Sequence, residues 1–88
     1  MRFIGDLVLQ KMSDKYLLVP TGKTVDVFNG VIKMNETSKI IYDAIKLEKE
    51  KQDIVDELIN KYQISNEDSI LYVEEVVNKL KEIGVLID

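Results

Sequence analysis

Cysteine, histidine and tryptophan are all missing from this 88-residue chain, and proline occurs once. Without cysteine there is no disulfide framework, and without cysteine or histidine the usual zinc and iron–sulfur ligands are gone. Neither a Gly-rich phosphate loop nor a Gly-x-Ser-x-Gly elbow is present. No apolar run approaches the roughly 18–20 residues that cross a bilayer. Met1-Arg2-Phe3-Ile4-Gly5-Asp6 turns acidic too soon for a secretory signal. Internal repeats and low-complexity tracts are also lacking. The expectation is one soluble cytoplasmic domain spanning residues 1–88, not an enzyme, holding no metal or cofactor and touching no membrane. At this length it is near the lower end of what folds without staples.

What is present is charge, unevenly spread. The net charge is −4. Residues 1–46 carry seven Lys/Arg against five Asp/Glu, whereas residues 47–88 carry five against eleven. Phosphate binding draws on clustered Lys and Arg, so the acidic second half argues against a nucleic-acid surface there. The same pattern also describes the solvated faces of ordinary helices. Asp53, Asp56, Glu57, Glu74, Glu75 and Glu82 fall at helical spacings that point them to water. Carboxylates do acid–base work only inside a desolvated cleft that shifts their pKa values.

Strand formers fill the first third. Leu7–Met12 and Lys15–Pro20 read as two short strands joined by a two-residue Ser13-Asp14 turn. Pro20 ends the second run, Thr21-Gly22-Lys23 reads as a loop, and Val25-Asp26-Val27 alternates like a further short strand. Asn29-Gly30 is the dipeptide that tolerates positive φ at both central positions of a tight turn. Val31, Ile32, Lys33 and Met34 then read as a strand, with Asn35 where a helix N-cap belongs.

Helical periodicity takes over from there. Ile40, Ile41, Ala44 and Ile45 form one amphipathic stripe, and Ile54, Val55, Leu58, Ile59 and Tyr62 form a second. Ser65 with Asp68 resembles a capping box, opening a third helix from about Asn66 to Glu82 that stops at Gly84. Val85-Leu86-Ile87 reads as a short tail packing back. Strands followed by three helices predict an α+β domain, a three-helix cluster on a small antiparallel sheet of about three strands.

Two places in this scheme leave room for a partner. At 100° per residue the apolar residues of the third helix span an arc of about 160°, wider than a core-facing stripe requires. Ile70, Val73, Val77 and Leu80 then face the core while Tyr72, Val76 and Ile83 line a groove, unless a small domain simply buries most of this helix. Leu71 lies on the opposite side. Ile32 and Met34 face one side of their strand and Val31 and Lys33 the other. If that strand ends the sheet, its free N–H and C=O groups either accept an incoming extended peptide or stand as an ordinary short edge guarded by Lys33.

The run Phe28-Asn29-Gly30-Val31-Ile32-Lys33-Met34-Asn35-Glu36-Thr37-Ser38-Lys39-Ile40-Ile41-Tyr42 resembles the signature region of the PqqD-like family, the leader-peptide-binding domains also called RiPP recognition elements. Met34-Asn35-Glu36-Thr37 fits the family's apolar-Asn-acidic-Thr/Ser pattern, and Ile41-Tyr42 fits its aliphatic–aromatic pair, with Tyr42 where Trp is frequent and Ser38 where Gly or Ala is frequent. Ile54 to Leu58, Tyr62 and the closing Leu80-Lys81-Glu82-Ile83-Gly84-Val85-Leu86 extend the resemblance over nearly the whole chain. Leu47-Glu48-Lys49-Glu50 stands where many relatives carry a Gly between the first two helices.

That resemblance implies a winged-helix-like fold binding a peptide without acting on it. The leader segment of a ribosomally made precursor adds as a strand to the sheet edge, against the third helix, and is presented to a peptide-modifying enzyme, often a radical S-adenosylmethionine (radical SAM) enzyme, as in coenzyme PQQ synthesis. Carried onto this chain, the peptide pairs along Val31, Ile32, Lys33 and Met34, above a groove floored by Ser69, Tyr72, Val73 and Val76. Two other readings are weighed beside it. A winged-helix DNA-binding regulator needs basic and amide side chains at the start of its recognition helix, where this chain has Asn66-Glu67-Asp68-Ser69. A structural dimerisation module would instead hide the apolar face of the third helix in a homodimer, and strand exchange between copies is a related route.

Overall fold

A computed structural model describes residues 1–88. The order of elements is β1 (Arg2–Phe3), β2 (Asp6–Met12), β3 (Lys15–Thr21), a 3-10 helix (Gly22–Asp26), β4 (Ile32–Met34), α1 (Glu36–Lys46), α2 (Lys51–Tyr62), α3 (Asn66–Glu82) and β5 (Leu86–Ile87). The expected α+β architecture is therefore observed, a small antiparallel sheet followed by three helices in a winged-helix-like arrangement. The three-stranded sheet runs β2-β3-β4, with Leu9 opposite Leu18 and Leu18 opposite Ile32. This register puts Leu7, Leu9, Leu18, Ile32 and Met34 on the face that meets the helices.

Short-range signals set most boundaries. The Ser13-Asp14 turn joins β2 to β3 with Ser13 at φ 57. Asn35 caps α1 by accepting the Ser38 N–H at 2.8 Å, and Ser65 caps α3 by accepting the Asp68 N–H at 3.1 Å. Gly84, at φ 87, ends α3 in the left-handed conformation that glycine adopts without strain. Between α1 and α2, Glu48 takes the left-handed position at φ 58. Pro20 lies inside β3 rather than ending it. Since β4 pairs only with Tyr16 to Leu18, the missing Pro20 N–H costs no ladder bond to β4.

Three expectations give way. Val25-Asp26-Val27 is not a strand: Val25 and Asp26 close the 3-10 helix and Val27 follows as a turn. The buried Thr24 hydroxyl accepts the Asp6 N–H at 2.6 Å, tying this coil to the start of β2. Neither Asn29 nor Gly30 adopts positive φ, so the segment before β4 is an open bend. Val31, expected as the first residue of the strand, lies just outside it and is 53% exposed. The tail does more than pack back, since Leu86 and Ile87 pair with Phe3 and Arg2 in a second, two-stranded sheet.

The core sits between the inner sheet face and the helices. Leu18 from the sheet, Ile41 and Ile45 from α1, Ile54 and Leu58 from α2, and Val77 from α3 are all fully buried in it. Each such side chain contributes on the order of 1.5–3 kcal/mol by leaving water. Val73, Val77 and Leu80 are covered by their own chain, with no more than 1% exposure. No second copy is needed to hide the inward face of α3.

Candidate functional site

β4 is one edge of its sheet, paired on one side only, with β3. An edge strand leaves N–H and C=O groups on its outer side without ladder partners. β4 passes into α1 through Asn35 alone, so the edge is anchored at the first turn of that helix. Beyond the edge stands α3, and no Cα of β4 comes within 8 Å of a Cα of α3. A further strand added to a sheet sits about 4.7–4.9 Å from its neighbour.

Two adjoining cavities occupy this gap. The smaller, about 230 Å³, is lined by Ile32, Lys33, Met34, Ser38, Glu75, Val76, Lys79 and Leu80. The larger, about 420 Å³, is lined by Asn35, Thr37, Ser38, Ile41, Tyr62, Ile64, Tyr72, Glu75 and Val76. Ser38, Glu75 and Val76 border both, so the two form one groove running from the strand edge, between the start of α1 and α3, to the end of α2 at Tyr62 and Ile64. Tyr62, on the wall of the larger cavity, carries a buried hydroxyl with no hydrogen-bond partner, as does Ser69 in the core.

The expected site residues divide along a clear line. Ile32, Lys33, Met34, Tyr72 and Val76 all line the groove, with Tyr72 43% exposed on its wall. Ser69 and Val73 do not: at 0% and 1% exposure they belong to the core beneath α3, out of reach of a ligand in the groove. Val31 lies before the strand and borders neither cavity. Ile83, placed on the groove by its angle, packs against the core and also borders neither.

Sequence reasoning missed Glu75 and Lys79, treating the first as merely solvated. The helical rotation sets both on α3 next to Tyr72, just outside the apolar arc that ends there. The polar border of that wide arc was thus the signal that could have found them. It also missed Ser38, whose small side chain lets the groove pass over α1. By contrast, Asp53, Asp56 and Glu57 border an open depression that has no apolar lining, so nothing there desolvates a carboxylate pair. No helix is long and apolar enough to cross a membrane.

With this geometry described, the solved structures supply a comparison. The fold is that of TbiB1. The structure titled as TbiB1 in complex with the TbiA(beta) leader peptide is similar to this chain at a TM-score of 0.77, with 13% sequence identity and 100% of each chain covered. At that identity the likeness establishes a shared fold. No family model matches the chain, and no curated protein matches it in sequence.

Proposed function

We propose that this chain is a non-catalytic, PqqD-like adaptor. It captures the leader segment of a ribosomally made precursor by β-strand addition at β4 and presents it to a peptide-modifying enzyme, of the radical SAM class that the sequence resemblance implies. The observation that carries this reading is the groove, which has a free strand edge as one wall and Tyr72 and Val76 of α3 as the other. The peptide-bound state of TbiB1, a protein of the same fold, supports it.

The energetics are adequate for a transient capture. Each apolar side chain seated in the groove is worth about 1.5–3 kcal/mol, and each backbone bond to the edge adds about 0.5–1.5 kcal/mol. Ordering an extended peptide offsets several kcal/mol of that gain. The competing DNA-binding reading finds no support, because Asn66-Glu67-Asp68 at the start of α3 presents two exposed carboxylates where phosphates would lie.

Calorimetric titration tests the proposal. The titrant is any short precursor-like peptide encoded near this gene, synthesised as separate leader and core segments. The leader is expected to bind and the core segment to give no heat. Binding of the core alone, or of neither, would overturn the assignment.

A further inference from the structure

We propose that the groove selects extended segments carrying an acidic residue next to an apolar one, with the acidic group meeting Lys33 on the outer side of β4 and Lys79 adding positive charge at the helix rim. This rests on the peptide-binding reading above and adds the chemistry of the bound sequence to it.

Four lysines of the chain already have partners. Lys39, Lys49, Lys61 and Lys81 form ion pairs with Asp43, Glu57, Glu36 and Asp88 respectively. Lys33 and Lys79 are among the seven lysines that form none, and of those seven only these two border the smaller cavity. Glu75 stands one turn before Lys79, in the Glu-to-Lys i,i+4 order that ordinarily closes on a helix surface, yet this pair is open. All three side chains border the smaller cavity, whose apolar lining is Ile32, Met34, Val76 and Leu80.

Position gives these charges their effect. Lys33 comes from the strand, its side chain on the sheet face opposite Ile32 and Met34, and Lys79 from the helix wall, so the two residues border the opening from its outer and its helix side. With Glu75 the cavity lining carries two positive charges against one negative, the reverse of a chain whose net charge is −4. Long lysine stems lie along apolar surface while their heads stay at the mouth. Apolar walls weaken the screening of charges placed between them. Along an extended strand successive side chains alternate in direction, so an apolar residue seated against Val76 has neighbours on the outer side, beside Lys33. A carboxylate there meets the Lys33 ammonium, whereas an ammonium meets a like charge.

The test uses three fluorescein-labelled pools of short synthetic peptides. All alternate Leu, Ile, Val and Tyr with a variable position, which is Asp/Glu in one pool, Gln/Ser in the second and Lys/Arg in the third. Anisotropy titrations of the full chain are expected to show the acidic pool binding about fivefold more tightly than the neutral pool, the advantage shrinking at high salt. The Lys33→Glu, Lys79→Glu double variant changes two exposed side chains and is expected to melt like the parent while preferring the basic pool. Pools that bind with shifts at the β4 amides but with equal affinities, or with the basic pool favoured, would overturn this inference and leave the capture reading intact. Absence of any β4 shift with all three pools would overturn both.

Discussion

Asn35 is the smallest unit in which strand, helix and groove meet. Its backbone is still extended, at φ −86 and ψ −178, while its side chain already accepts the Ser38 N–H and so starts α1. The same residue lines the larger cavity. A few residues further on, Tyr42 fastens α1 to β1, its ring 4.9 Å from that of Phe3. Burial pushes the Tyr42 hydroxyl above the ordinary tyrosine value of 10.0, and the neighbouring Asp43 carboxylate adds to the rise. Lys39 is also held high, chiefly by the hydrogen bond it donates to Asp43 and by that carboxylate's charge. A group whose pKa is raised by folding contributes stability that is full below its unfolded value and disappears as pH rises through its folded value. Stability is therefore expected to fall above about pH 10, as the Tyr42 phenol ionises above the ordinary tyrosine value. Urea unfolding of the parent chain and of Tyr42→Phe across alkaline pH checks this. Parent stability that stays flat through that range, or falls just as far in Tyr42→Phe, would contradict it.

At the scale of elements, the decisive boundary runs along α3, between side chains that hold the fold and side chains that line the groove. Tyr72 and Val73 are adjacent in sequence and lie on opposite sides of it. Tyr72→Ala is expected to change folding stability by less than about 0.5 kcal/mol while weakening leader binding roughly tenfold, as loss of an aromatic anchor does. Val73→Ala is expected to cost on the order of 2 kcal/mol in folding and to leave the affinity of the folded fraction nearly unchanged. Chemical denaturation and calorimetry on both variants measure the two effects separately. Equal behaviour of the pair would mean that the groove is misplaced.

The same boundary shows how far sequence reasoning reaches. Caps and periodicity located the helices because they are local: Asn35, Ser65 and Gly84 each act within a few residues of themselves. The edge strand was readable at its Asn35 end for a similar reason, whereas the tight Asn29-Gly30 turn expected at its other end is an open bend and the strand starts one residue later, at Ile32. Other features depend on distant partners. Three alternating residues at Val25-Asp26-Val27 cannot distinguish a strand from a 3-10 coil, and the hydrogen bond from the Asp6 N–H to Thr24 comes from another part of the chain. The pairing of Arg2 and Phe3 with Ile87 and Leu86 joins opposite ends of the sequence. On α3, Val73 and Val76 lie about 60° apart, and which of them meets the groove depends on where β4 and α1 come to rest.

For the whole molecule, the groove is a consequence of how little is packed around β4. The chain has a radius of gyration of 12.9 Å, about what a compact domain of this length has. The two-stranded sheet of β1 and β5 lies away from β4, so nothing in the fold pairs with the outer side of β4. An acidic second half keeps the surface unsuited to nucleic acid, whereas the groove mouth carries the opposite sign at Lys33 and Lys79. Shape and charge thus point to the same face. The most direct test of the central claim is nuclear magnetic resonance of the isotope-labelled chain with its unlabelled leader segment. The account predicts cross-strand contacts between peptide amides and Ile32, Lys33 and Met34, with slowed amide exchange there and shifts at Tyr72 and Val76. Shifts confined to α2, with β4 unchanged, would contradict it.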